Sequence, residues 1–107
     1  MELIHYRTAD GDVPFKTWHS ALRDKSAKAR IAMRLRSLQQ GNLGDCKPVG
    51  EGVLELRVHV GAGYRVYCAR YGQTLVVLLC GGDKSSQARD VRLARSFWRE
   101  WKKEQRS

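Results

Sequence analysis

The chain has 107 residues and carries 20 Lys plus Arg against 11 Asp plus Glu, a formal charge of +9 with histidine neutral. At 42% hydrophobic and 29% charged residues it is too apolar for a disordered tail and too polar for an integral membrane protein. The length suits one domain spanning 1–107, large enough to bury a core without disulfides or a structural metal.

Met1 to His5 lacks the basic-then-apolar order of a secretory signal, so a cytoplasmic location without a membrane partner is expected. Glu2 to Arg7 is predicted to be a short strand and Thr8 to Asp12 a turn. Pro14 fits the first turn of a helix, with Asp12 as a nearby cap. After a break at Asp24 to Ser26, Ala27, Ile31, Leu35 and Leu38 recur at helical spacing and predict a second, amphipathic helix. Gly41-Asn42 ends it, and Asn42 to Gly52, with three glycines and Pro48, reads as a loop.

From Val53 to Val60 the period becomes two. Leu54, Leu56, Val58 and Val60 alternate with Glu55, Arg57 and His59, which predicts a strand with one buried face and one charged face. Tyr64 to Arg70 is a second such strand across Gly61-Ala62-Gly63, with Val66 and Cys68 on one side and Arg65 and Tyr67 on the other. Leu75 to Cys80 is apolar on both sides, as a central strand would be, and is too short to span a bilayer. Gly81 to Ser86 forms a loop from which Ser85 or Ser86 caps a last helix striped by Val91, Ala94, Trp98 and Trp101. The order βααβββα predicts an α+β fold with a mainly antiparallel sheet and helices packed on one face.

Cys46, Cys68 and Cys80 are odd in number and form no Cys-x-x-Cys pair, which argues against a disulfide framework or zinc site and for a reducing compartment. The charge is concentrated in two predicted helical regions. Pro14 to Gln40 holds seven basic residues and one acid, and Lys84 to Arg106 holds eight and three. Such segments suit a polyanion, either nucleic acid or an acidic protein.

Glu55, Arg57 and Arg65 share a strand face if the two strands pair, and Lys84 enters from the glycine turn. A carboxylate among cations suits phosphodiester chemistry, in which the cations hold the phosphate and the carboxylate accepts a proton. The same pattern also suits a cross-strand ion-pair lattice on a solvated face. Gly81 to Ser86 is no P-loop, because Asp83 separates the glycine from Lys84 and no glycine stands at the required upstream position. His5 and His19 read as surface or satisfied histidines. His59 alone lies near the proposed cluster but, three to four residues along the strand at roughly 3.3 Å per residue, is expected to be too far from the phosphate to replace Glu55 as base. Trp98 and Trp101 read as packing residues.

Three runs, Gly52-Val53-Leu54-Glu55-Leu56-Arg57, Gly63-Tyr64-Arg65-Val66-Tyr67 and Leu78 to Gln87, together resemble the RelE/HigB superfamily of bacterial toxins. The branch most similar is the phage-derived Gp49-like, or addiction module killer, proteins. Pro14-Phe15, Trp18, Gly41-Asn42 and Gly44-Asp45 extend the resemblance over nearly the whole chain.

The resemblance implies a RelE-like (microbial ribonuclease-like) fold and the toxin of a type II toxin-antitoxin pair. It implies a metal-independent endoribonuclease without cofactors that cuts mRNA on the ribosome and is neutralised by a cognate antitoxin. By position, it implies catalytic roles for Glu55, Arg57, Arg65 and Lys84, and RNA contacts from Arg57, Arg65, Tyr67 and Lys84. In that assignment Glu55 accepts the 2′-hydroxyl proton, Arg57 and Arg65 hold the scissile phosphate, and Lys84 stabilises developing charge or protonates the leaving oxygen. No Tyr or His stands among Ser85 to Asp90, where several members keep one. Two other classes share these features: a catalytically silent RNA-binding module, and an antitoxin-bound co-repressor of its own operon.

Overall fold

Strand periodicity from Val53 onward forms three consecutive antiparallel strands at the centre of a five-stranded sheet. The computed structural model describes residues 1–106, in the order β1 (Glu2–His5), α1 (Pro14–Ala21), α2 (Lys25–Gln39), β2 (Cys46–Pro48), β3 (Val53–Val58), β4 (Tyr64–Tyr71), β5 (Leu75–Gly82) and α3 (Gln87–Gln105). A 3₁₀ turn, Lys84–Ser86, joins β5 to α3. The sheet order is β1-β5-β4-β3-β2, with β1 parallel to β5 and every other pairing antiparallel. This is a mixed α+β fold.

Two features depart from the sequence reading. The segment read as a loop contains β2, an edge strand pairing Cys46 with Leu56 and Pro48 with Leu54. Three residues are too few to display a period, and proline is tolerated at an edge. The helices also cover both faces of the sheet, not one. Alternate residues of β5 point to opposite sides. Val76 and Leu78 join Phe15 of α1, Ile31 and Leu38 of α2, and Leu56 and Val66. Val77 and Leu79 join Ala94, Trp98 and Trp101 of α3, with Val53, Tyr67 and Ala69. A central strand apolar on both sides needs both covers, and each fully buried Leu or Ile contributes about 1.5–3 kcal/mol. The face read as charged and solvated is therefore half core.

Local chemistry sets the helix ends. Asp24 caps α2 by accepting from the Ala27 amide at 3.0 Å. Asp12 does not cap α1; its carboxylate accepts from Thr17 Oγ1 at 2.7 Å, and Val13 precedes the helix without a side-chain cap. Asp83 caps the 3₁₀ turn through the Ser85 amide at 2.9 Å. Neither Ser85 nor Ser86 caps α3: Ser86 precedes the helix without a side-chain cap, and its hydroxyl donates to the buried Asp90 at 2.5 Å. Trp98 and Trp101 stack at 5.4 Å between ring centres, as expected of packing residues. Gly81 lets α1 lie close to the sheet, since a Cβ there would stand 2.2 Å from the Trp18 ring. No helix among the described residues is long and apolar enough to cross a membrane.

Candidate active site

The β3–β4 hairpin places Arg57 directly opposite Arg65 and Glu55 opposite Tyr67. Two guanidinium groups in cross-strand register repel unless a counter-charge lies between them. Glu55 supplies it. Arg57 Nε lies 3.4 Å from Oε1, and Arg65 Nε lies 3.9 Å from Oε2. Oε2 also accepts from the Tyr67 hydroxyl at 3.0 Å and from Gln87 Nε2, at the start of α3, at 2.9 Å. Burial by itself would raise the Glu55 pKa, but the donors Gln87, Tyr67 and Arg57 and the charge of Arg65 outweigh it and hold the carboxyl below its ordinary value. Burial, and then the bond to Glu55, push the Tyr67 hydroxyl in the opposite direction, above the ordinary tyrosine value.

Above this buried layer is a cavity of about 540 Å³ lined by Arg57, His59, the 60–63 turn, Arg65 and Lys84. Arg65 NH1 donates to the Gly63 carbonyl at 2.6 Å, and the Lys84 amide donates to the Ala62 carbonyl at 3.4 Å, so the turn is held from both sides. Gly63 has φ +74°, and a Cβ there would stand 3.3 Å from Arg65 NH1, so glycine meets both the backbone and the spatial demand. Arg57 keeps 33% of its side chain exposed and Arg65 keeps 13%. Among the described residues, Lys84 takes part in no ion pair. Three cationic side chains, Arg57, Arg65 and Lys84, thus stand on the wall of one cavity.

Two placements, of Glu55 and Tyr67, correct the sequence reading. Glu55 is 0% exposed, so it has no surface from which to take a proton from a bound hydroxyl. Tyr67 is also 0% exposed and cannot stack on RNA; it lies under α3 and holds Glu55. His59, expected near the cluster, lines the same cavity as Arg57, Arg65 and Lys84. Its Nε2 bonds the Asp45 carboxylate, and that bond, ahead of an opposing effect of burial, lowers the Asp45 pKa. Gln87 and Asp45 were not foreseen as site residues. Each reaches its partner across a long stretch of chain, so spacing carried no signal; Gln87 entered only as the last residue of the run Leu78 to Gln87.

Cys68 and Cys80 are buried, and burial pushes both thiols up to about 12. Among the described residues, no group of three His, Cys, Asp or Glu is placed to hold a metal ion.

Fold and site thus define a small basic α+β protein with a cationic cavity built over a buried carboxylate. Residues 19–96, most of the chain, match the family model described as "Phage derived protein Gp49-like". The chain belongs to that family, one of the addiction-module killer type, and membership implies a cognate antitoxin. It is similar to an "Uncharacterized protein" of Haemophilus influenzae, with 49% identity over 81 residues, covering 76% of this chain and 82% of that protein. No solved structure matches it.

Proposed function

We propose that the chain is the toxin of a type II toxin-antitoxin module and a metal-independent endoribonuclease that cuts mRNA on the ribosome. On this reading residues 1–107 form one domain of the RelE-like class, working in the cytoplasm. The observation that carries the proposal is the Arg57–Arg65 pair, held in register over Glu55 and facing a cavity that Lys84 also lines.

The reaction is attack of a ribose 2′-hydroxyl on the adjacent phosphate. Arg57 and Arg65 bind the non-bridging oxygens, whose charge grows in the pentacovalent transition state. Lys84 meets the charge on the leaving 5′-oxygen and supplies its proton. Glu55 is a positioning residue: its carboxylate fixes the two guanidiniums so that their remaining N–H groups point at one phosphate, and Tyr67 and Gln87 hold it in turn.

Induction of the chain without its partner should arrest growth and cut translated transcripts. Arg65→Ala should lower cleavage about 10²-fold or more, the usual effect of losing a transition-state charge partner. Normal growth with intact transcripts at confirmed soluble expression would refute the reading. Salt-dependent RNA binding with intact transcripts would favour the silent RNA-binding module instead.

A further inference from the structure

We propose that His59, oriented by Asp45, is the general base that takes the proton from the attacking 2′-hydroxyl. The inference rests on the endoribonuclease reading and names a group that reading leaves open once Glu55 is found buried.

His59 stands just past the end of β3 and, like Arg57, lines the cavity that holds Arg65 and Lys84. Its side chain is 70% exposed, so a substrate atom can reach the ring. Asp45 is held below its ordinary carboxyl pKa, first by the bond from His59, so its carboxylate is ionised at neutral pH and can only accept. Nε2 therefore carries the hydrogen of that bond, which leaves Nδ1 as the ring atom that can take up a proton from a substrate. Asp45 is itself anchored. Its carbonyl accepts from the Arg57 amide at 3.0 Å and from Arg34 NH2 at 2.6 Å. The chain of contacts ties the orientation of the base to the backbone of the phosphate-binding arginine.

The step balances within the site. Nδ1 of His59 accepts the proton as O2′ bonds to phosphorus. The P–O5′ bond breaks, and O5′ leaves with a proton from the Lys84 ammonium, giving a 2′,3′-cyclic phosphate. The imidazolium and the neutral amine return to their starting states by exchange with water. The charged groups around His59 are Asp45 and Arg34 on one side, Arg30 from α2, and Arg57, Arg65 and Lys84 across the cavity.

The test is single-turnover cleavage of a 5′-labelled message, ribosome-bound and free, by the full chain and by His59→Ala, Asp45→Asn and Arg65→Ala. His59→Ala should lower the chemical rate about 10²- to 10⁴-fold, the usual contribution of a general base. RNA affinity and thermal stability should stay near wild type, because the ring is exposed. The rise in wild-type rate as a histidine deprotonates should vanish from the variant's pH profile, and added imidazole should restore part of the rate. Asp45→Asn should fall between His59→Ala and wild type. His59→Ala cleaving within twofold of wild type with the same pH profile, beside an inactive Arg65→Ala, would overturn this inference and leave the endoribonuclease reading standing. No cleavage by the wild type would overturn both.

Discussion

Replacing Glu55 by Gln keeps the shape of the side chain and removes the negative charge on which Arg57, Arg65, Tyr67 and Gln87 converge. The two arginines remain opposite each other in the β3–β4 register, now without compensation. Breaking a buried ion pair by removing one partner costs about 3–5 kcal/mol. Water reaches Arg57, which is 33% exposed, so the low end applies, about 3 kcal/mol. At about 4 °C per kcal/mol for a domain of this size, Tm should fall by roughly 12 °C. The sign of the pH dependence follows from the lowered Glu55 pKa. A carboxyl whose folded pKa lies below its unfolded value contributes fully above the latter and loses that contribution as pH falls through the folded pKa. The gap between wild type and variant should therefore be complete at pH 7 and narrow below about pH 4.3, the ordinary Glu value. Thermal denaturation followed by circular dichroism from pH 7 to pH 3 measures this. Cleavage should fall at least tenfold while RNA affinity is unchanged or tighter, since a negative charge near the phosphate is gone. A variant within 1 kcal/mol of wild type at pH 7, or a gap indifferent to pH, would refute the central role given to Glu55.

Three further outcomes are expected. Gly81→Ala should destabilise the fold by about 1–3 kcal/mol, because the new methyl would overlap the Trp18 ring and α1 must lift from β5; a wild-type denaturation midpoint would contradict that packing. Alkylation of the native protein at pH 8 should modify half-exposed Cys46 and spare Cys68 and Cys80, whose buried thiols are pushed up to about 12, until denaturant is added. Equal native labelling of all three, read by mass spectrometry, would contradict the burial. The cognate antitoxin should present an acidic or amphipathic segment to the basic helices or the strand face, so complex formation should slow as salt rises; an association rate indifferent to ionic strength would remove the electrostatic part of this expectation.

Much of the fold was legible because its periods are undisturbed. Ile31 and Leu38 are buried, Leu35 packs against their cluster, and Val53 to Val58 and Tyr64 to Tyr71 pair across the short glycine turn. What escaped was the second covered face. Glu55, Arg57 and Arg65 drew attention to charge, while Val53, Tyr67 and Ala69 on the same side supply the apolar surface that Ala94, Trp98 and Trp101 cover. Two helices with apolar stripes and a central strand apolar on both sides already required cover above and below, since a single layer would leave one side of β5 in water.

The site was legible to the extent that hairpin geometry determines it. The short turn between β3 and β4 sets the register that places Arg57 against Arg65. Burial and reach were harder to read. A charged residue in an alternating run does not reveal whether its face meets solvent; the neighbouring strand does, and Tyr67 and Ala69 opposite Glu55 and Val53 indicate a covered face. Counting residues along β3 measures only the distance of His59 from Glu55. The relevant distance runs across the mouth of the hairpin, where the 60–63 turn brings Arg65 back beside Arg57 and where Lys84 is bonded through its amide to Ala62. Glu55 thus lies beneath the floor of the cavity and His59 on its wall, an arrangement set by the cover of α3 over β3 and β4 and by the path of the 60–63 turn.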